Sequence, residues 1–200
     1  MDYVEDLLPD VMFRAPDVPD TILRQTIRDA AYDFLQTSEV WRETAQPVFT
    51  FNEVDTYEIY FDWDVRIVRL HSVMIDDRPM RTVEVDELSG SRGDAVSVSN
   101  DDPHRLLMGP HARRGWAIIN ASIAPNRGQI DLPDHLIRDF RDGFISAALA
   151  RIYAMPGSGW FDLDVAQIYR GATESAALRG KRLVNNRRKE TRRTVRYGGL

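Results

Sequence analysis

The apolar residues of this chain change their spacing twice, and the changes mark off three stretches that cannot share one kind of regular structure. Behind Pro19 and Asp20, Leu23, Ile27, Ala30/Ala31 and Phe34/Leu35 recur every three to four residues, the period of one helix face. With Asp20 as N-cap, this spacing predicts an amphipathic helix over about residues 20–37. Between Pro47 and Pro125 the helical period is lost. Short runs rich in β-branched and aromatic residues take over: VFTF, YEIYF, VRIVRLHSVMI, AVSV and WAIINASI, separated by Asn, Asp, Gly and Pro clusters. They predict a small antiparallel sheet or sandwich. At Leu132-Pro133-Asp134 the helical period returns, with Asp134 as N-cap and Leu136, Phe140, Phe144, Ala147/Ala148 and Ile152 as one stripe. A helix of about 20 residues is roughly 30 Å long.

MPGSGWFD ends that helix. A third is expected to start near Asp162 or Asp164 and run to Leu183, with Val165, Ile168/Tyr169, Ala172, Ala176 and Leu183 inward. The alanine-rich faces of both late helices permit close approach. The expected fold is α+β and mainly helical: a helical bundle built from residues 1–46 and 131–183, a small antiparallel β-region inserted as residues 47–130, and an extended basic arm over residues 184–200.

Charge sets the arm apart. From Arg170 to Leu200 there are ten Lys/Arg against two Glu, a local charge of +8 in a chain whose net charge is −5, so the preceding body carries −13. A block of like charge does not bury itself; it grips something anionic or lined with carboxylates. Arginine supplies all but two of the 26 basic residues, and its planar fork suits carboxylate or phosphate rather than solubility alone. An 18-residue arm from Leu183 reaches at most about 60 Å. The absence of Cys rules out disulfides, a thiolate nucleophile and cysteine-based zinc sites. No apolar run approaches the roughly 20 residues of a membrane span, and MDYVEDLLPD is acidic where a signal peptide would be basic. A soluble chain with no membrane partner is expected.

The search for chemistry yields no catalytic and no metal site. His71, His104, His111 and His135 have no HxxxH or HxH spacing. The pairs Asp62/Asp64, Asp76/Asp77, Asp101/Asp102 and Asp162/Asp164 read as turn and cap residues, since Asp bonds its own backbone in sequences such as DDRP and NDDP. SGSRG lacks the lysine of a phosphate loop, and Ser158 in GSGW lacks a nucleophile elbow. No cofactor is expected. Trp41, Trp63, Trp116 and Trp160 fall at element ends; half-buried core edges account for them, and a stacking surface for nucleic acid is the other reading.

Three stretches resemble the head-to-tail adaptor (head-completion or connector) proteins of tailed bacteriophages. They are LLPDVMFRAPDVPDTILRQTIRDAAYDFLQTSEVWRET, DDRPM, and LPDHLIRDFRDGFISAALARIYAMPGSGWFDLDVAQIYRGATESAALRGKR, together about half of the chain. The resemblance implies a structural virion protein rather than an enzyme. Twelve copies would form a ring in the neck, after assembly from protein made in the host cytoplasm. The ring would dock under the portal protein once DNA is packaged, extend the channel through which double-stranded DNA passes without sequence-specific binding, and carry a tail or nozzle protein below. It also implies a C-terminal extension that grips the portal, here Arg187, Arg188, Lys189, Arg192, Arg193, Arg196 and Tyr197. In a ring, each seated arm raises the effective concentration of the others, so modest single contacts give a durable joint. The alternative is a nucleic-acid-binding protein whose Arg-rich tail tracks phosphates, against which the −13 body would repel a polyanion.

Overall fold

The computed structural model describes residues 2–51, 54–91, 94–102, 104–109, 114–126 and 131–191, of which 187–191 are described in backbone only. In chain order the elements are α1 (Tyr3–Arg14), α2 (Asp20–Ser38), β1 (Arg42–Thr44), β2 (Val48–Thr50), β3 (Thr56–Glu58), β4 (Val65–Ile75), β5 (Arg78–Pro79), β6 (Arg81–Thr82), α3 (Val85–Leu88), β7 (Ala95–Val98), β8 (Arg105–Met108), β9 (Gly115–Pro125), α4 (Asp134–Tyr153) and α5 (Leu163–Thr191). The fold is α+β. The described residues through Val40 and from Asp131 onward form one compact unit, and the intervening residues from Trp41 form a second.

In the helical unit α2 and α4 run in opposite directions, whereas α1 runs alongside α4 in the same direction, Asp10 pairing with Arg141 and the Arg14 carbonyl accepting from Tyr153. Phe34 of α2 meets Phe144 of α4 edge-on at 5.0 Å, while further back on α2 Asp33 pairs with Arg151 near the end of α4. Gly143 makes this approach possible: a Cβ there would stand 2.5 Å from Phe34 Cζ and 3.3 Å from Ala176 of α5. One face of α5 is accordingly built of small residues, with Ala166, Ala176, Ala177 and Gly180 buried. This differs from the expected stripe. Ile168 is 70% exposed, and Ala172 and Leu183 are also exposed, because the close contact with α4 selects small side chains and rotates the large ones outward.

The starts of α2 and α4 also differ from expectation. Asp20 and Asp134 are the first helical residues rather than the caps; Pro19 and Pro133 occupy the cap positions, with no side-chain cap bond. Each Asp still complements the positive end of the helix dipole, and Asp20 Oδ2 accepts from Arg24 Nε at 2.6 Å. At α5 the cap is conventional, Asp162 Oδ1 accepting from the backbone N–H groups of Asp164 and Val165. α1 was not anticipated. Its Val4, Leu7, Leu8 and Val11 form a buried helical stripe in spite of Pro9 inside the helix, which removes one intrahelical hydrogen bond.

The second unit holds two sheets. The larger orders β1-β9-β4-β5, with β2 also pairing with β9, and the smaller orders β3-β8-β7-β6. Every pairing is antiparallel except β6 with β7. That exception departs from the expected antiparallel region, and α3 is its cause: the turn of helix between β6 and β7 carries the chain back before the next strand starts. Trp41 is fully buried, packs edge-on against Trp63 at 5.8 Å and donates from Nε1 to Glu43.

Candidate functional site

The residues singled out for partner binding sit at the end of α5 and beyond it. An arm leaving the helix at Leu183 was expected, yet the helix continues to Thr191. Nothing in VNNRRKET breaks it: Arg, Lys and Glu are good helix formers, and the first glycines after Gly180 are Gly198 and Gly199. Arg187, Arg188 and Lys189 therefore lie on helical backbone near the C-terminus of α5, where cations complement the dipole. Arg192, Arg193, Arg196 and Tyr197 lie outside the described residues.

Among the α5 residues whose burial is described, those through Asn186, Gly180 is the last buried position, and a Cβ there would meet Val40 Cγ1 at 2.5 Å. Next to it, Lys181 Nζ pairs with Glu39 Oε1 at 3.2 Å. Val184 is half-buried, and Asn185 and Asn186 are exposed. Beside the end of the packed region α4 loses helical geometry at Phe140 (φ −123°, ψ 18°). The break borders a groove of about 420 Å³ whose walls include Arg138, Asp139, Arg141, Asp142, Arg179 and Leu183. Both signs of charge line it, so it has no preference for a simple anion.

The remaining polar candidates are engaged in holding loops and sheets. Asp64 ties Asn126, Asp62 accepts from Gln46, and Asp76 Oδ1 accepts from the Trp116 N–H at 3.0 Å. Asp76 and Asp77 have φ of 46° and 62°, the left-handed turn that joins β4 to β5. His71 Nε2 lies 2.6 Å from Ser122 Oγ, but Ser122 is wholly buried and offers no approach for a substrate. His104 lies in the loop before β8 and His135 is exposed in the first turn of α4, while His111 lies outside the described residues. Among the described residues no three His, Asp or Glu side chains gather to hold a metal ion, and no helix is long and apolar enough to cross a membrane. Burial raises the Tyr3 phenol well above its ordinary range, with Asp2 and Asp29 adding to the effect and Arg28 opposing it. Burial likewise raises Tyr153, which stacks on Tyr169 and donates to the Arg14 carbonyl at 2.6 Å.

No protein-family model matches the chain, and no curated protein matches it either. Sequence reasoning singled out Trp116, read as a half-buried core edge and found 56% exposed, but passed over the Phe49, Phe51 and Arg114 that cluster with it. Phe49 of β2 and Phe51 just after it alternate in VFTF, which would have flagged half of the cluster; the pairing of Phe49 with Trp116 depends on long-range register.

Proposed function

We propose that this chain is a ring-forming head-to-tail adaptor of a tailed bacteriophage, a structural protein of the virion neck and not an enzyme. Twelve copies dock on the portal vertex after packaging, extend the DNA channel and provide the platform for the tail. The helices act as the bundle of the ring, and the basic end of the chain is the joint to the portal. The observation that carries this reading is the 29-residue helix α5: among its residues through Asn186 the last buried position is Gly180, and the helix continues through the cationic Arg187, Arg188 and Lys189 to Thr191. On the other face of α5, Ile168 and Leu178 are 70% and 58% exposed, apolar surface that suits the neighbouring copy in a ring.

Truncation after Asn186 tests the joint. It removes all seven portal-binding candidates and leaves every described core residue of the helical unit in place, so the shortened protein should fold with an unchanged melting temperature. It should fail to dock, giving capsids that package DNA and then leak it. Charge reversal at Arg188, Arg192 and Arg193 should act in the same direction. Normal portal closure by the truncated protein would overturn the assignment of the joint.

A further inference from the structure

The face of α5 turned away from the helical core carries a pattern that the chain's own packing does not use. At about 100° per residue, Asp164, Ile168, Gly171, Ser175, Leu178 and Arg182 fall within an arc of about 80°, opposite the buried Ala166, Ala176, Ala177 and Gly180. All six are exposed, Ile168 by 70% and Leu178 by 58%. Their spacing alternates four residues with three, the seam of two helices that pack along their length.

The stripe is self-complementary for an antiparallel partner. Asp164 lies as far before Thr173 as Arg182 lies after it, and the same holds for Ile168 with Leu178 and for Gly171 with Ser175. Two copies of α5 laid antiparallel about a two-fold axis at the level of Thr173 therefore bring Asp164 of each to Arg182 of the other, Ile168 to Leu178, and Gly171 to Ser175. A parallel pair would set Asp164 against Asp164 and Arg182 against Arg182, so charge selects the antiparallel arrangement. Gly171 points the same way. Within the chain nothing requires a glycine there, since a Cβ would meet no atom within 4 Å, and glycine in a helix interior costs up to about 1 kcal/mol against alanine. Beside the two-fold axis, Gly171 and Ser175 would let two backbones approach, as Gly143 does between α4 and α2.

We propose that two copies of this chain associate through α5 as an antiparallel two-fold pair, with Ile168 and Leu178 in contact on both sides of the axis and Asp164 paired to Arg182 at both ends. The contact is about 27 Å long and one helix wide, short of the roughly 1,200 Å² of a standard interface, so the pair is weak and reversible. Glu174 flanks the stripe beside the axis, where it meets its own copy and weakens the pair further. A two-fold pair uses the same patch on both copies, whereas a ring joins unlike patches. The pair is thus a separate state that does not rest on the adaptor reading; where a ring forms, the pair must open first.

The test uses the full-length chain without portal. Sedimentation equilibrium over a micromolar to millimolar series should show a monomer–dimer equilibrium. Leu178→Glu and Gly171→Leu should each weaken it about tenfold or more, the loss of one well-packed apolar contact on each side of the axis. Both positions are exposed, and Gly171→Leu should leave the unfolding midpoint of the dilute chain unchanged or raised, because leucine favours helix; this separates a lost contact from a lost fold. Arg182→Asp should weaken the pair several-fold, and Asp164→Arg/Arg182→Asp should restore it. The chain has no Cys, so cross-linking reads the register: Asp164→Cys chains mixed with Arg182→Cys chains should form a mixed disulfide dimer. Either alone should not, its like positions standing about 27 Å apart. Three results would overturn the proposal: a monomer throughout the series, a dimer that Leu178→Glu and Gly171→Leu leave unchanged, or disulfides formed by one single-cysteine chain alone as readily as by the mixture.

Discussion

The helical unit and the sheet unit place their charges differently. In the helical unit acidic and basic side chains bridge helices: Arg24 of α2 pairs with Glu5 of α1, Arg141 of α4 with Asp10 of α1, and Arg151 of α4 with Asp33 and Asp29 of α2. These pairs are largely solvent-exposed, so each contributes at most about 1 kcal/mol, and what holds the unit is its apolar core, with α4 and α5 drawn close at Gly143 and Gly180. The larger sheet instead sorts side chains by face, with Val65, Ile67, Val73, Ile119, Ala121 and Ile123 buried on one side and Arg42, Arg66, Arg69 and Trp116 on the other. The difference teaches where function can reside in each. A helix surface that is already cross-linked by its own ions has its chemistry left over at the ends, and α5 carries such an end; the larger sheet is apolar on one side and partly covered on the other too, where Ser122 and Ala124 are buried and Trp116 stands exposed.

The sharpest way to break the packing half of this comparison is Gly143→Val. The new side chain would collide with the Phe34 ring, which is 1% exposed and held between Phe140 and Phe144, so it cannot swing aside. A loss of about 3 kcal/mol is expected from overpacking, read as a lowered midpoint in urea unfolding, whereas Gly171→Ala, with open space around it, should gain up to about 1 kcal/mol from helix propensity. Equal effects at both sites would show that α4 is not closely packed against α2 at Gly143.

A smaller and pH-dependent effect should come from Tyr3, buried under α2. Its phenol is raised in the folded state, so folding favours the neutral form. That contribution is complete below the ordinary tyrosine value near 10 and is lost as pH rises above it. Tyr3→Phe should therefore leave stability at pH 7 within about 1 kcal/mol of the parent and flatten its decline above about pH 10. A decline of the same steepness in the variant would mean that other groups cause it.

Much of this architecture could be read from local pattern, and the parts that could not share a cause. The strongly periodic segments around Leu23–Leu35, Val65–Ile75 and Leu136–Ile152 announce their elements because large apolar residues recur on one face. α1 carries the same signal in Val4, Leu7, Leu8 and Val11, which Pro9 conceals from a reader who treats proline as a stop. The inward face of α5 was misjudged because its contact is made of alanine and glycine, and hydrophobicity does not say which side small residues take. β1, β6 and β8, each of two to four residues, exist only through pairing with strands other than their neighbours across a tight turn. The register shift between Ile67 and Arg69 of β4 is likewise a property of two strands, and no single-strand pattern contains it. Of the portal-binding candidates, the sequence supplies composition alone, and composition identifies a cationic end without giving its direction or its partner.

The measurement closest to the central claim is electron microscopy of the purified protein mixed with its cognate portal rings. The account predicts a closed ring of twelve copies on one face of the portal, with the basic end of each α5 seated against portal density. Absence of any ring, or a ring held to the portal through the sheet unit with the ends of α5 pointing away, would contradict it.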